Sequence, residues 1–280
     1  MADLRFGLDL PADHAPGRDL VAEARRAEEL GFDFVSTSDH PEGDRPSYEV
    51  WTMLTWVAAR TSRIGIATRV LGVPYRPPAM VAKMAETLDR LSGGRLILGL
   101  GGGYSDDEFR AFGLPVPTAR EKVDGMADAI RIARGLWSEP SFTYRGAVHH
   151  TDAADLEPKP RRHIPIWVGT YGPRALAATG ELADGWIPSL GFAPPERIPA
   201  MRDRIRAAAA AAGRDPDAIT CVYNVGVDPR ATERPARLAE RLAGFAELGF
   251  SAVNLQVSGP DRAEQVELIA REVVPAVRAG

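Results

Sequence analysis

Cysteine is almost missing from this chain: Cys221 is the single one in 280 residues. That excludes an internal disulfide and a thiolate zinc site. Cys221 falls inside the strand-like Ile219-Thr220-Cys221-Val222-Tyr223, where a buried, inert thiol is expected. Histidine is scarce too. His14, His149, His150 and His163 lie in polar, loop-like stretches, and no histidine has a partner at helical i, i+4 spacing. No metal site is expected from such a set. Uninterrupted apolar runs of the roughly 20 residues that span a bilayer are absent. Met1-Ala2-Asp3-Leu4-Arg5-Phe6 has no apolar core of signal-peptide length behind it, so a cytoplasmic protein is expected. Charge of one sign is lacking as well. The 34 Lys and Arg against 38 Asp and Glu leave a net charge of −4, which gives no electrostatic case for nucleic acid or an anionic membrane.

What is present is ordinary for a globular α/β protein, with 45% hydrophobic and 26% charged residues. Apolar runs of strand length recur at 4–10, 32–37, 64–70, 96–100, 164–168, 185–188, 219–227 and 252–257. Amphipathic segments follow them at 19–30, 48–60, 78–91, 120–136, 173–182, 195–212, 234–248 and 261–279. Alternation of this kind implies βαβ crossovers and a parallel sheet. The runs are continuously apolar, as strands covered on both faces are. Eight such units predict a single (β/α)₈ TIM barrel, one domain over residues 1–280. The competitor is an open doubly wound sheet, but no Gly-x-Gly-x-x-Gly follows the first run. Leu30-Gly31-Phe32 and Leu248-Gly249-Phe250 are near-repeats of one helix-to-strand joint, with glycine at the left-handed C′ position. The irregular stretch 138–163, after the fourth helix, is too long to be a plain connection. A short hairpin covering part of the barrel mouth is expected there.

In such a barrel, residues that follow strands meet at one mouth. Ser38-Asp39-His40-Pro41 follows the second apolar run. Asp39 reads either as a loop carboxylate capping a turn or as a site group. His40 reads either as a hydrogen-bonded rim residue or as a proton carrier, since imidazole titrates near neutrality. Gly99-Leu100-Gly101-Gly102-Gly103-Tyr104 follows the fourth run. Its glycines allow either close approach to a ligand or a tight corner. Asp106-Asp107-Glu108 comes next, acids that suit a helix start. Gly169-Thr170-Tyr171-Gly172-Pro173-Arg174 opens a helix with proline in its first turn. Free N–H groups and Arg174 there make an anion site the preferred reading over a plain turn. Thr68-Arg69-Val70-Leu71-Gly72 leaves the third run toward Pro74, Pro77 and Pro78, a stiff exit in which Arg76 could brace the sheet edge. The two glycine loops and the anion site beside it favour the functional reading of the Asp39-His40 pair.

Taken together, these residues resemble the luciferase-like monooxygenase superfamily, and within it the branch dependent on the deazaflavin coenzyme F420. The landmarks are Glu28-Glu29-Leu30-Gly31-Phe32-Asp33, Ser38-Asp39-His40, Thr61-Ser62-Arg63-Ile64-Gly65, Thr87-Leu88-Asp89-Arg90-Leu91-Ser92-Gly93-Gly94-Arg95, Pro165-Ile166-Trp167-Val168-Gly169 and Ala183-Asp184-Gly185-Trp186. The similarity weakens beyond Pro188. It implies a bacterial-luciferase-like barrel enzyme that moves hydride between the deazaflavin C5 and a small organic substrate, with a homodimer compatible with the family. By the same resemblance Asp39 contacts the deazaflavin and His40 stands at the catalytic centre. A non-prolyl cis peptide at Arg69-Val70 backs the ring, and Gly72, Gly102 and Asp107 lie beside it. Thr170, Tyr171, Pro173 and Arg174 surround the phosphate. One departure stands out: members that oxidise glucose 6-phosphate carry a proton-transferring Glu where this chain has Tyr104. Tyr104 is then either a catalytic acid or an aromatic wall, since a phenol of pKa about 10 is a poor base. The alternatives are an FMN-dependent two-component monooxygenase of the same fold and, from another class, a non-catalytic flavin-binding paralogue. Flavin-using relatives tend to show Glu-His-His where this chain has Ser38-Asp39-His40, and the intact pair and anion loop count against the paralogue. Loops 43–46, 138–163 and 190–194 are expected to select the substrate.

Overall fold

Strands covered on both faces need a closed sheet wrapped by helices, and the computed structural model has that form. It describes residues 4–14, 17–44, 46–228, 234–259 and 261–279. In chain order the elements are β1 (Arg5–Asp9), α1 (Leu20–Glu29), β2 (Phe34–Thr37), α2 (Val50–Ala58), β3 (Gly65–Thr68), β4 (Leu71–Gly72) and α3 (Pro78–Leu91). There follow β5 (Leu96–Gly101), α4 (Asp106–Ala111), α5 (Ala119–Ser138), β6 (Phe142–Arg145), β7 (His150–Ala154), β8 (Ile166–Val168) and α6 (Pro173–Leu182). The last are β9 (Gly185–Trp186), α7 (Ile198–Ala211), β10 (Thr220–Val227), α8 (Pro235–Glu247), β11 (Ala252–Val257), α9 (Arg262–Leu268) and α10 (Val274–Ala279).

The strands lie in the order β3-β2-β1-β11-β10-β9-β8-β5-β4, and a further β3–β5 pairing closes the ring. All the pairings around it are parallel. Closure is carried by Ile66 opposite Leu96 and Ala67 opposite Ile97. β4 continues β3 past Arg69 and Val70 along the same neighbour, with Leu71 opposite Leu100. The nine segments are therefore eight staves, one for each apolar run of the sequence. Inside the barrel Phe34, Ala67, Trp167, Ile187, Val222 and Ala252 form a plug. The Phe34 and Trp167 rings meet edge-on with centroids 5.5 Å apart. Gly7 and Gly185 make room for them, since a Cβ at either would overlap those rings. The helices bury their apolar faces against the outside of the barrel as a second, larger core layer.

The helix-to-strand joint at Gly31 and Gly249 has the expected left-handed backbone, with φ of +83° and +86°. At the first joint the Glu28 carboxylate accepts the backbone N–H groups of Ser62 and Ile64 at 2.9 Å, together with that of Arg63. It ties α1 to the entry of β3.

Three features differ from expectation. The 138–163 segment does form an antiparallel hairpin, β6–β7, but the hairpin lies along α5 and lines no part of the mouth cavity. The cause is a buried carboxylate on α5: Asp128 accepts from the Tyr144 hydroxyl at 2.8 Å and the Val148 N–H at 2.7 Å. The Phe142 ring fills the space over Gly135. Between β5 and α5 stands an additional short helix, α4, capped by Ser105. The C-terminal helix is also not continuous, because a π turn at Ile269–Val273 separates α9 from α10. Pro275 has no N–H to offer the preceding turn and crowds its carbonyl, which a wider turn relieves.

Candidate active site

Parallel staves put every β-to-α loop at one end, so Asp39, Gly102 and Thr170, following β2, β5 and β8, share a rim with Gly72, the last residue of β4. At that rim opens a cavity of about 680 Å³. Its floor and sides come from Val70 and Ile187, and from the bare backbone of Gly72, Gly101, Gly102, Gly103, Gly169 and Gly191. Asn224 and Gln256 supply polar groups from the β10 and β11 staves. Asn224 is fixed by its own bonds, receiving the Asn254 amide at 3.0 Å and donating to the Ile187 and Pro188 carbonyls at 3.2 Å.

Asp39 is only 1% exposed at its side chain. It accepts the Gly72 N–H at 3.0 Å and both Arg76 Nη groups at 2.7 and 3.1 Å. Arg76 in turn reaches Glu49 at 2.5 Å, and the bracing reading of Arg76 holds. The pair thereby locks the β2 loop to the β4 segment. The Arg69–Val70 peptide is cis. Arg69 lines the cavity with its guanidinium on Asp9 at 2.7 Å.

His40 stands at the mouth, its side chain 47% exposed. Its Nδ1 lies 2.8 Å from Oε1 of Glu108 on α4. The other Glu108 oxygen accepts the Tyr75 hydroxyl. Burial, and then the bond to Glu108, push the Tyr75 phenol well above its ordinary pKa, so it stays a donor. Tyr104 is 72% exposed. Its ring is edge-on to His40 and to Phe192, with centroids 6.0 Å from each. Phe192 also tilts against Tyr171 at 5.3 Å. Three aromatic rings thus line one side of the opening.

This arrangement can be placed among known proteins. The model of the family described as luciferase-like monooxygenase matches residues 4–272. The chain belongs to that family. The F420-dependent glucose-6-phosphate dehydrogenase of Kineococcus radiotolerans is 34% identical over 261 residues, 89% of this chain and 74% of that one. Among solved structures, an F420-dependent secondary alcohol dehydrogenase in complex with an F420-acetone adduct superposes with a TM-score of 0.89. It is 21% identical and covers 98% of this chain and 99% of its own. A coenzyme F420 dependent tetrahydromethanopterin reductase from Methanopyrus kandleri has a TM-score of 0.79 at 23% identity, with 98% of this chain and 99% of that one covered.

Within this luciferase-like barrel, Asp39, His40, Arg69, Val70, Gly72, Gly102, Tyr104 and Tyr171 all line the cavity. Four other residues named from the sequence do not. Asp107 points into solvent and pairs with Arg110 at 2.7 Å. Thr170 is buried beside the cavity, its hydroxyl 2.7 Å from that of Thr179 and its carbonyl accepting the Trp186 indole N–H. Pro173 and Arg174 begin α6, where the exposed Arg174 guanidinium pairs with Asp124. Loop 190–194 contributes Gly191 and Phe192 to the cavity, whereas 138–163 contributes nothing. Glu108 and Tyr75 are the residues that sequence reasoning missed. Ser105-Asp106-Asp107-Glu108 spells a capping box, and Ser105 does cap the Glu108 N–H. The Glu108 oxygens, however, go to His40 and Tyr75.

Proposed function

We propose that this luciferase-like oxidoreductase uses coenzyme F420 and transfers hydride between its C5 and a small, partly apolar alcohol or carbonyl compound. One observation carries the reading: His40 projects from a rigid, Asp39-anchored loop into a cavity with an apolar floor and glycine walls. The residues fit a flat tricyclic ring. Val70 and Ile187 offer a face, and Gly101, Gly102 and Gly169 bring backbone close without side chains in the way. A volume of about 680 Å³ leaves space beside the ring for a second small molecule.

A deazaflavin held there supplies or takes up hydride at C5. Asp39 keeps Gly72 and the Arg69–Val70 segment in place behind the ring, and Gly72 and Gly102 lie along it. Asp107 follows the same glycine loop. The anionic tail is assigned to the start of α6, with Thr170, Tyr171, Pro173 and Arg174. Gly172 caps that helix without any side-chain acceptor for its first N–H groups, which leaves them for an anion. His40 handles the proton at the substrate oxygen.

The curated relative named for glucose 6-phosphate favours the cofactor assignment more than the substrate. By the family resemblance Tyr104 takes the place of the glutamate in sugar-phosphate oxidising members, and together with Phe192 and Tyr171 it walls the opening. An apolar carbinol or ketone suits that wall better than a hydrated sugar phosphate. The deciding experiment is a fluorescence titration of the purified protein with F420 and with FMN. Tighter binding of F420 is expected. Tighter binding of FMN would replace this reading with the two-component monooxygenase.

A further inference from the structure

We propose that Glu108 is the positioning residue of His40, fixing the imidazole in the tautomer that turns an unprotonated Nε2 toward the substrate. The inference rests on the function proposed above for its chemistry, but not for its geometry. Glu108 is buried, its side chain 10% exposed. An ionised carboxylate only accepts hydrogen bonds, so a neutral imidazole 2.8 Å away must place its proton on Nδ1. Nε2 then carries the lone pair at the half-exposed edge of the ring. Tyr75 donates to the second carboxylate oxygen, and Ser105 caps the Glu108 backbone N–H. Neither end of the glutamate is free to swing away. Three elements meet here: the β2 loop brings His40, the turn after β4 brings Tyr75, and α4 brings Glu108.

In the oxidising direction the substrate O–H bond breaks and an Nε2–H bond forms. The oxygen's electron pair becomes the second bond of the C=O group as the carbon gives up hydride to the deazaflavin. The positive charge left on the imidazole sits against the Glu108 carboxylate, which offsets it. The reducing direction returns the same proton. A hydrogen-bonded carboxylate behind a histidine does similar work in other enzymes, setting tautomer and orientation without itself reacting.

The test reads the tautomer directly, in the protein without cofactor or substrate. Imidazole ¹⁵N NMR, with the His40 signals identified by their loss in His40→Ala, is compared among the parent, Glu108→Gln and Tyr75→Phe. The parent is expected to show Nδ1–H, Nε2 unprotonated. Glu108→Gln, nearly isosteric but able to donate, is expected to shift the ring toward Nε2–H. Tyr75→Phe keeps the carboxylate on Nδ1 and is expected to keep the parent tautomer. An Nε2–H ring in the parent, an unchanged tautomer in Glu108→Gln, or a flip in Tyr75→Phe would each overturn the proposal. In turnover, Glu108→Gln is expected to lower kcat about 10- to 100-fold, by analogy with other orienting partners of histidine, with KM and F420 affinity held. A loss confined to KM or to F420 affinity would also overturn it. A chain that binds FMN in place of F420, yet shows these tautomers, would fail the functional reading and leave the positioning role standing.

Discussion

At the scale of single residues, the site sets a protonatable ring against a wall of aromatic ones. His40 is the residue aimed into the cavity, so His40→Ala is expected to cut turnover about 10²–10⁴-fold, the usual worth of a positioned acid or base. Because the cofactor contacts proposed above lie elsewhere, F420 affinity should stay near that of the parent. Single-turnover hydride transfer measured beside a binding titration checks both halves, and an unchanged transfer rate would make His40 a structural rim residue. Tyr104 poses a different question. Its ring is exposed and edge-on to His40 and Phe192, the placement of a wall. Tyr104→Phe should therefore keep kcat, where a catalytic acid would lose rate with its hydroxyl. The place of Asp39 on the rim was readable from its position after a strand. Its ion pair with Arg76 was not, since the partner lies in another loop and only the closed barrel joins them.

At the scale of elements, two joints between helix and strand carry testable weight. The N-terminus of α6 is assigned to the cofactor's anionic tail. Arg174→Ala should weaken F420 binding by about 1.5 kcal/mol, the low end for a charge-assisted contact, because Arg174 must first leave Asp124. A titration showing no change would reduce the 169–174 segment to a turn. At the other joint, burial tends to raise the Glu28 carboxyl, but the backbone N–H groups of Arg63, Ile64 and Ser62 outweigh it and hold the pKa at about 2. A carboxyl depressed on folding stabilises the native state above its unfolded pKa of about 4.3. That contribution is lost as pH falls from there through about 2. Solvent screening at this partly exposed site reduces the contribution, so Glu28→Gln should cost on the order of 1 kcal/mol at neutral pH and flatten the acid limb of the stability curve. Urea unfolding at pH 7 and pH 3 measures it: the gap between parent and variant should narrow at the lower pH.

At the scale of the molecule, closure of the barrel depends on bare backbone where β3 meets β5. The Thr68 hydroxyl donates to the Gly99 carbonyl at 2.8 Å and accepts its N–H at 2.7 Å. A Cβ on Gly99 would overlap the Thr68 carbonyl. Both sides of that contact are main chain in a closed ring and cannot yield as a flexible side chain would. Gly99→Ala is expected to cost at least about 1–3 kcal/mol, the range for overpacking. Melting followed by circular dichroism should show it as a fall of about 2–4 °C per kcal/mol. A melting temperature equal to the parent's would mean that the β3–β5 seam opens at little cost. The same closure sets the site, because Val70 lies between Gly99, Gly101 and Gly169.

The sequence by itself determined the number and order of the staves, the glycine joints and the rim on which Asp39, His40, Gly72 and Gly102 stand. These follow from local patterning: apolar runs of strand length, amphipathic segments, and glycine where the backbone turns left-handed. The tertiary structure decided everything that depends on residues far apart in the chain. It sent Glu108 to His40, 68 positions away, although the local pattern read only as a helix cap. It laid the hairpin along α5, because a buried Asp128 there needed donors that the hairpin supplies. It turned Thr170 toward Thr179. Periodicity tells which face of an element is buried. Which polar group meets a buried charge is settled only when the ring closes and brings the loops together.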